Sequence, residues 1–143
     1  MKQGNVTGPG PVERARRELD PEHRALHQMG DRIRRTNDGR TLSGLLADLH
    51  RRLSAHFVHE ELAAGLYQAI GALGTAQRAR VDQLREEHHR LLADTRRLAV
   101  RARTHNGDAA EVHRQAEELI DRLRAHEANE LVWAEPPPDS PRA

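Results

Sequence analysis

The sequence contains 143 residues, a length that predicts a single domain, and its 23 Lys and Arg residues nearly balance 22 Asp and Glu residues. The resulting net charge of +1 argues against the strongly basic surface of a nucleic-acid-binding protein. The absence of cysteine excludes disulfides, iron–sulfur clusters, cysteine-ligated zinc and thiol catalysis, whereas ten histidines supply imidazole groups for acid–base or metal chemistry.

Both ends of the chain are predicted to be flexible tails. Residues 1–10 are polar and rich in glycine, and residues 136–143 are rich in proline, so the folded domain is expected over residues 11–135. No apolar stretch has the length of a membrane span or the form of a signal peptide. We therefore expect a soluble cytoplasmic protein that has neither a membrane nor a nucleic acid as its partner.

Three turn signals divide the interior into four segments. They lie at residues 37–39, 71–74 and 106–108, where Gly, Asn and Asp interrupt the pattern. Within each segment, apolar residues recur at helical spacing, as Leu45, Leu49, Leu53 and Phe57 do in the second. Because short connections make neighbouring helices antiparallel, the sequence predicts an all-α, antiparallel up-down four-helix bundle.

The start of the first helix has two interpretations. Asp20 followed by Pro21 is typical of an N-cap with proline at the first helical position, which would begin the helix there. The alternative is a helix that begins near Pro11 and kinks at Pro21.

The two halves of the chain resemble each other. Residues 49–60 match residues 119–130 at six of twelve positions with an offset of 70, including a histidine and a glutamate four residues apart. The first and third segments align with an offset of 65, which pairs Glu22 and His23 with Glu87 and His88. The histidines therefore fall on repeated positions.

These repeated histidines lie on the faces that must point into a bundle. His56 and His126 each follow the leucine stripe of their helix, with a glutamate one turn later, and two further histidines are flanked by leucines at helical spacing. Buried imidazoles and carboxylates are costly unless they are paired, and a metal ion would pair them. Nitrogen and oxygen donors without thiolate favour iron or manganese. The predicted metal-ligating residues are His23, His56, Glu60, His88, His126 and Glu130.

The same residues resemble a known family. The order His23, then His56, His59, Glu60 and Glu61, then Glu87 and His88, then His126 and Glu130 resembles the hemerythrin-like, or HHE cation-binding, proteins. This resemblance implies a four-helix bundle that holds two iron ions in a non-haem, oxo-bridged diiron centre, with both glutamates as bridges. It also implies a small ligand, namely dioxygen, hydrogen peroxide or nitric oxide, or a role in iron handling.

One departure from the family pattern bears on function. The oxygen-carrying hemerythrins have a second histidine where this chain has Leu92, so about two coordination positions would stay open on two octahedral irons. Open positions favour reaction with peroxide, including catalase-like turnover, over oxygen carriage or iron storage. His27 could fill one position as a fifth histidine or replace His23. Tyr67 is expected to pack in the core, with ligation or a place beside the ligands as the alternative, and His59 and Glu61 are expected to flank the ligands.

Other functions and other metals are also compatible with the sequence. Glu86 and His89 imitate the Glu-x-x-His motif of ferritin-like diiron enzymes, but the chain has no second copy. Manganese or zinc could occupy the same ligands as iron. A protein from a different class altogether would be a metal-free helical module that binds a partner helix.

Overall fold

The computed structural model describes residues 10–62, 65–104 and 109–134, and these residues form four long helices and one short one. The predicted tails (residues 1–10 and 136–143) and the predicted turn at residues 106–108 lie outside the described residues, except for Gly10, which precedes the first helix. The helices are α1 (Pro11–Arg35), α2 (Gly39–Glu61), α3 (Leu66–Gly71), α4 (Thr75–Thr104) and α5 (Ala109–Trp133).

Helix α1 begins at Pro11, so the alternative start at Asp20 is wrong. Pro11 takes one of the first helical positions, where a missing N–H costs nothing, and Pro21 lies inside the helix. Leu19 on one side of Pro21 and Leu26 on the other are both buried. The apolar face on both sides of Pro21 therefore holds the helix together across the proline, overriding the local start signal.

The predicted turns at residues 37–39 and 71–74 agree with the structure. Helix α2 follows its cap residue Asp38, whose carboxylate accepts a hydrogen bond of 2.9 Å from the backbone N–H of Thr41. The predicted turn at residues 71–74 separates α3 from α4. The short helix α3 is a feature that the sequence did not predict.

The long helices form a closed ring in the order α1, α2, α4, α5. Neighbours in this order contact each other, and α5 contacts α1, while α3 packs against α1, α2 and α4 at one end. The predicted all-α bundle is therefore confirmed, with α3 as an added end piece. Within the described part of the chain, no helix is both long enough and apolar enough to cross a membrane.

Two apolar clusters fill the bundle, one on each side of a polar layer. The larger cluster includes Leu26, Leu53, Leu91 and Leu123, and the smaller one includes residues of α3 and the adjoining helix ends. On α1 and α4, the predicted ligands His23 and His88 each lie between residues of the smaller cluster and residues of the larger one. The members of the smaller cluster are Ala15, Leu19, Leu66, Tyr67, Ile70, Val81, Leu84 and Ala134.

Candidate metal centre

The polar layer brings the six predicted ligands together in two groups. In the outer group, each of His23, His56 and Glu60 offers a ligand atom, and these atoms all lie within 4.8 Å of one another. In the inner group, the same holds for Glu60, His88, His126 and Glu130. Glu60 belongs to both groups, so its carboxylate lies where it could bridge two ions.

Glu60 is fully buried, and its two oxygens face opposite groups. Oε2 lies 3.2 Å from Nε2 of His56 and 3.7 Å from Nε2 of His23, while Oε1 lies 3.1 Å from Nε2 of His88. None of these contacts has hydrogen-bond geometry: among the described residues, both Glu60 oxygens and Nε2 of His23 are buried without a hydrogen-bond partner. Buried polar atoms are rarely left unsatisfied, and a metal ion coordinated by these lone pairs would satisfy them. The residues present therefore fit a metal.

Glu130, which the family resemblance implied as a second bridge, belongs to the inner group and not to the outer one, and it accepts a hydrogen bond from Tyr67 there. Glu130 Oε2 lies 3.2 Å from Nε2 of His126 and 3.9 Å from Nε2 of His88. The Tyr67 hydroxyl donates a hydrogen bond of 2.6 Å to the same oxygen and lies 2.6 Å from Nε2 of His88. Burial and the nearby Glu130 carboxylate raise the pKa of Tyr67, so the group stays a neutral phenol at neutral pH.

A carboxylate lies behind three of the four histidines, on the side away from the site. In each case Nε2 points into the layer and Nδ1 contacts a glutamate on a neighbouring helix. A metal-ligating histidine is commonly oriented in this way, because the carboxylate fixes the ring and raises the basicity of the ligating nitrogen. The pairs are Glu22 with His56 at 2.7 Å, Glu61 with His88 at 2.6 Å and Glu87 with His126 at 2.6 Å.

The comparison with protein families agrees with this geometry. A family model described as the hemerythrin HHE cation binding domain matches residues 14–130, which include all six predicted ligands. The chain belongs to the hemerythrin HHE family. This confirms the resemblance seen in the sequence, and the buried His and Glu groups of this HHE domain are able to hold metal. Comparisons with curated proteins and with solved structures gave no match.

The HHE domain directs His27 away from the ligand groups. Its Nε2 contacts Oε1 of Glu127 at 2.7 Å, and half of its side chain is exposed. Neither group includes it, whereas His23 lies in the outer group. His59 contacts the other oxygen of Glu22, at 2.7 Å, and so lies at the edge of the site.

Two glutamates that orient the histidines had no predicted role. Glu22 and Glu87 directly precede His23 and His88, and both belong to the internal repeat. The repeat was the signal that could have found them. Tyr67, expected in the core or beside the ligands, belongs to the smaller apolar cluster and also donates a hydrogen bond to Glu130. Because α2 ends at Glu61, it reaches the site from α3.

The electrostatics of the HHE site without metal favour charged histidines. Burial lowers the pKa of His56 and His88, but their contacts with carboxylates outweigh it and raise each pKa to about 9. Burial would raise the pKa of Glu60, yet its three histidine neighbours hold it well below its usual range. Without metal, the site therefore pairs protonated histidines with ionised carboxylates. A metal ion that binds there would displace the protons of the histidines.

The site is closed on one side and open on another. The ring of Phe57 stacks on His88, with ring centroids 3.6 Å apart, and joins the site to the larger apolar cluster. Between α1 and α5, a cavity of about 340 Å³ is lined by His23 and Glu130 at the site and by Leu66 and Leu131 along its walls. A small molecule could reach the ligand layer through this cavity.

Proposed function

We propose that this HHE domain is a non-haem diiron protein that binds and reacts with dioxygen, hydrogen peroxide or nitric oxide. The observation that supports it best is the pair of buried ligand groups that share Glu60. Two ligand groups with one common carboxylate are suited to bind two neighbouring ions. Both oxygens of Glu60 lack a hydrogen-bond partner, so each has lone pairs free to coordinate an ion.

The donor set is compatible with iron. The outer group would hold one ion through His23, His56 and Glu60, and the inner group would hold the other through Glu60, His88, His126 and Glu130. Imidazole and carboxylate donors without thiolate suit iron, manganese or zinc, and the family match indicates a cation site without naming the metal. When bound, iron would supply the redox chemistry for reaction with dioxygen or peroxide.

Three features of the chain support reaction with peroxide over simple carriage. Leu92 supplies no donor, so about two positions would stay open on two octahedral irons, whereas an oxygen carrier needs one. The Tyr67 hydroxyl holds a proton at Glu130 Oε2, inside the layer. The cavity beside His23 admits small molecules, while the two apolar clusters exclude bulk water from the rest of the layer. Peroxide disproportionation needs no other reactant, because two peroxide molecules yield two water molecules and one dioxygen.

Metal content tests the proposed centre. Protein made in iron-rich medium should contain about two iron ions per chain by elemental analysis, as expected for two ligand groups. His88→Ala should lower this content sharply, and the exposed neighbour His89→Ala is the matched control. A chain that contains no metal, or that loses none through His88→Ala, would refute the diiron centre.

Gas evolution tests the reaction. The iron-loaded protein should release dioxygen from hydrogen peroxide, measured with an oxygen electrode, and the metal-free protein should not. Reversible dioxygen binding without any turnover of peroxide would contradict the reactive function and support a carrier. A site loaded with zinc or manganese in the cell would redirect the proposal to that metal.

A further inference from the structure

The carboxylates behind the histidines follow a rule around the bundle. Each comes from the helix that precedes the histidine's helix in the ring order α1, α2, α4, α5. Three of the four positions obey the rule, and the fourth would place a carboxylate from α5 behind His23 on α1. The three are Glu22 of α1 behind His56 of α2, Glu61 of α2 behind His88 of α4, and Glu87 of α4 behind His126 of α5.

The internal repeat identifies the residue at the fourth position. The offset of 70 that carries His56 and Glu60 onto His126 and Glu130 carries Glu61 onto Leu131. Leu131 and His23 line the same cavity between α1 and α5, as the rule requires. Among the described residues, the one carboxylate within 4.0 Å of His23 is that of Glu60, at Nε2. Leucine therefore stands where the repeat would supply the carboxylate.

As a result, the two ligand groups differ in the burial of their histidines and in the carboxylates that support them. The His23 side chain is 22% exposed, whereas those of His56, His88 and His126 are 2–3% exposed. The inner group has four buried ligands, and both of its histidines have a carboxylate at Nδ1. The outer group has three ligands, one of them half-buried and without that support. Loss of such a carboxylate typically lowers metal affinity 10–100-fold.

Resting on the diiron proposal, we propose that the two metal positions have unequal affinity and that Leu131 is a main cause. The outer position, formed by His23, His56 and Glu60, releases its ion first, through the cavity between α1 and α5. The inner position keeps its ion. The protein thus has a stable one-metal form, and the outer ion exchanges with metal in solution about 10–100-fold more readily, the ratio that a missing histidine–carboxylate contact gives.

Graded chelation tests the inequality. The iron-loaded protein is dialysed against increasing concentrations of nitrilotriacetate, and the iron left per chain is measured by elemental analysis. The wild type should lose one ion at a concentration at which the other remains. Leu131→Glu supplies the missing carboxylate. It should raise the chelator concentration at which the first iron ion is lost about 10-fold or more. Leu131 is 45% exposed, so a glutamate is accommodated there.

A neighbouring substitution supplies the control. Val132→Glu adds the same charge to the same helix at a residue that is 63% exposed, and it should leave the first loss unchanged. Glu22→Gln removes the support of His56 and should make the first loss easier still. Loss of both ions together in the wild type, no effect of Leu131→Glu, or an equal effect of Val132→Glu would overturn the inference.

The outcomes separate this inference from the proposed function. Two ions held equally tightly would refute the unequal positions and leave the diiron centre standing. A protein that holds no metal before dialysis would refute both. Unequal release that Leu131→Glu does not change would refute Leu131 as the cause.

Discussion

Alkaline pH should destabilise the metal-free protein through its buried histidines. The pKa of His56 and of His88 is about 9 in the folded chain, against 6.5 for an unperturbed histidine. Because the folded-state pKa lies above the unfolded one, the stabilisation is complete below pH 6.5 and is lost as the pH rises through about 9. Stability should therefore fall across this window.

The expected loss is about 3 kcal/mol. One pH unit of pKa difference corresponds to about 1.36 kcal/mol, which gives about 3 kcal/mol for one histidine. His56 and His88 contact the same carboxylate, that of Glu60, so their contributions overlap and we count them once. For a chain of this size, a loss of about 3 kcal/mol corresponds to a fall in Tm of roughly 10 °C.

Thermal denaturation followed by far-ultraviolet circular dichroism measures this fall. The chelated protein is melted at pH values from 6.5 to 9. Because either histidine alone keeps a contact with Glu60, the double substitution His56→Gln and His88→Gln should flatten the pH dependence, and His89→Gln, at an exposed neighbour, should preserve it. With metal bound the sign reverses, because deprotonated histidines bind metal more tightly. A Tm of the metal-free protein that stays constant or rises over this window would refute the reasoning.

Three further substitutions have defined outcomes. Tyr67→Phe removes the hydrogen bond to buried Glu130, and urea denaturation of the metal-free protein should show a loss of about 1–3 kcal/mol; an unchanged midpoint would contradict that contact. Glu61→Gln removes the carboxylate behind His88 and should weaken metal binding about 10–100-fold in a calorimetric titration; an unchanged affinity would contradict a supporting role of that carboxylate. Leu53→Ala leaves a cavity in the larger cluster and should cost about 2–5 kcal/mol in urea without changing the metal content per chain; lost metal would show that the layer depends on that packing.

Most of the bundle could be predicted from the sequence because helical periodicity acts over long segments. Helices of 23–30 residues repeat their apolar stripe many times, so the inward face is well determined. The position of a histidine on that stripe then fixes whether it points inward. His23, His56, His88 and His126 could therefore be placed on the inward faces of their helices from the sequence alone.

Local signals were insufficient where tertiary contacts decide the outcome. Helix α3 has six residues, too few to show a period, and its place depends on how the chain turns after Glu61. The contacts of Tyr67 follow from that turn. The Pro21 ambiguity has the same origin, because the burial of Leu19 outweighs a cap signal. For His27, helical spacing placed it one turn after His23 but could not reveal that it would pair with Glu127 instead of joining the ligands.

The difference between Glu61 at the end of α2 and Leu131 near the end of α5 breaks the internal symmetry of the bundle. Helices α1 and α2 form one hairpin, α4 and α5 form the other, and the repeat relates the two as a pseudo-two-fold pair. Two identical hairpins assembled as a dimer would have to carry the same residue at both equivalent positions. Glu61 and Leu131 differ, and a single chain permits that difference whereas a dimer of identical hairpins does not. Covalent fusion thus gives this fold freedom that a symmetric assembly lacks, namely to specialise one half of a shared site without altering the other.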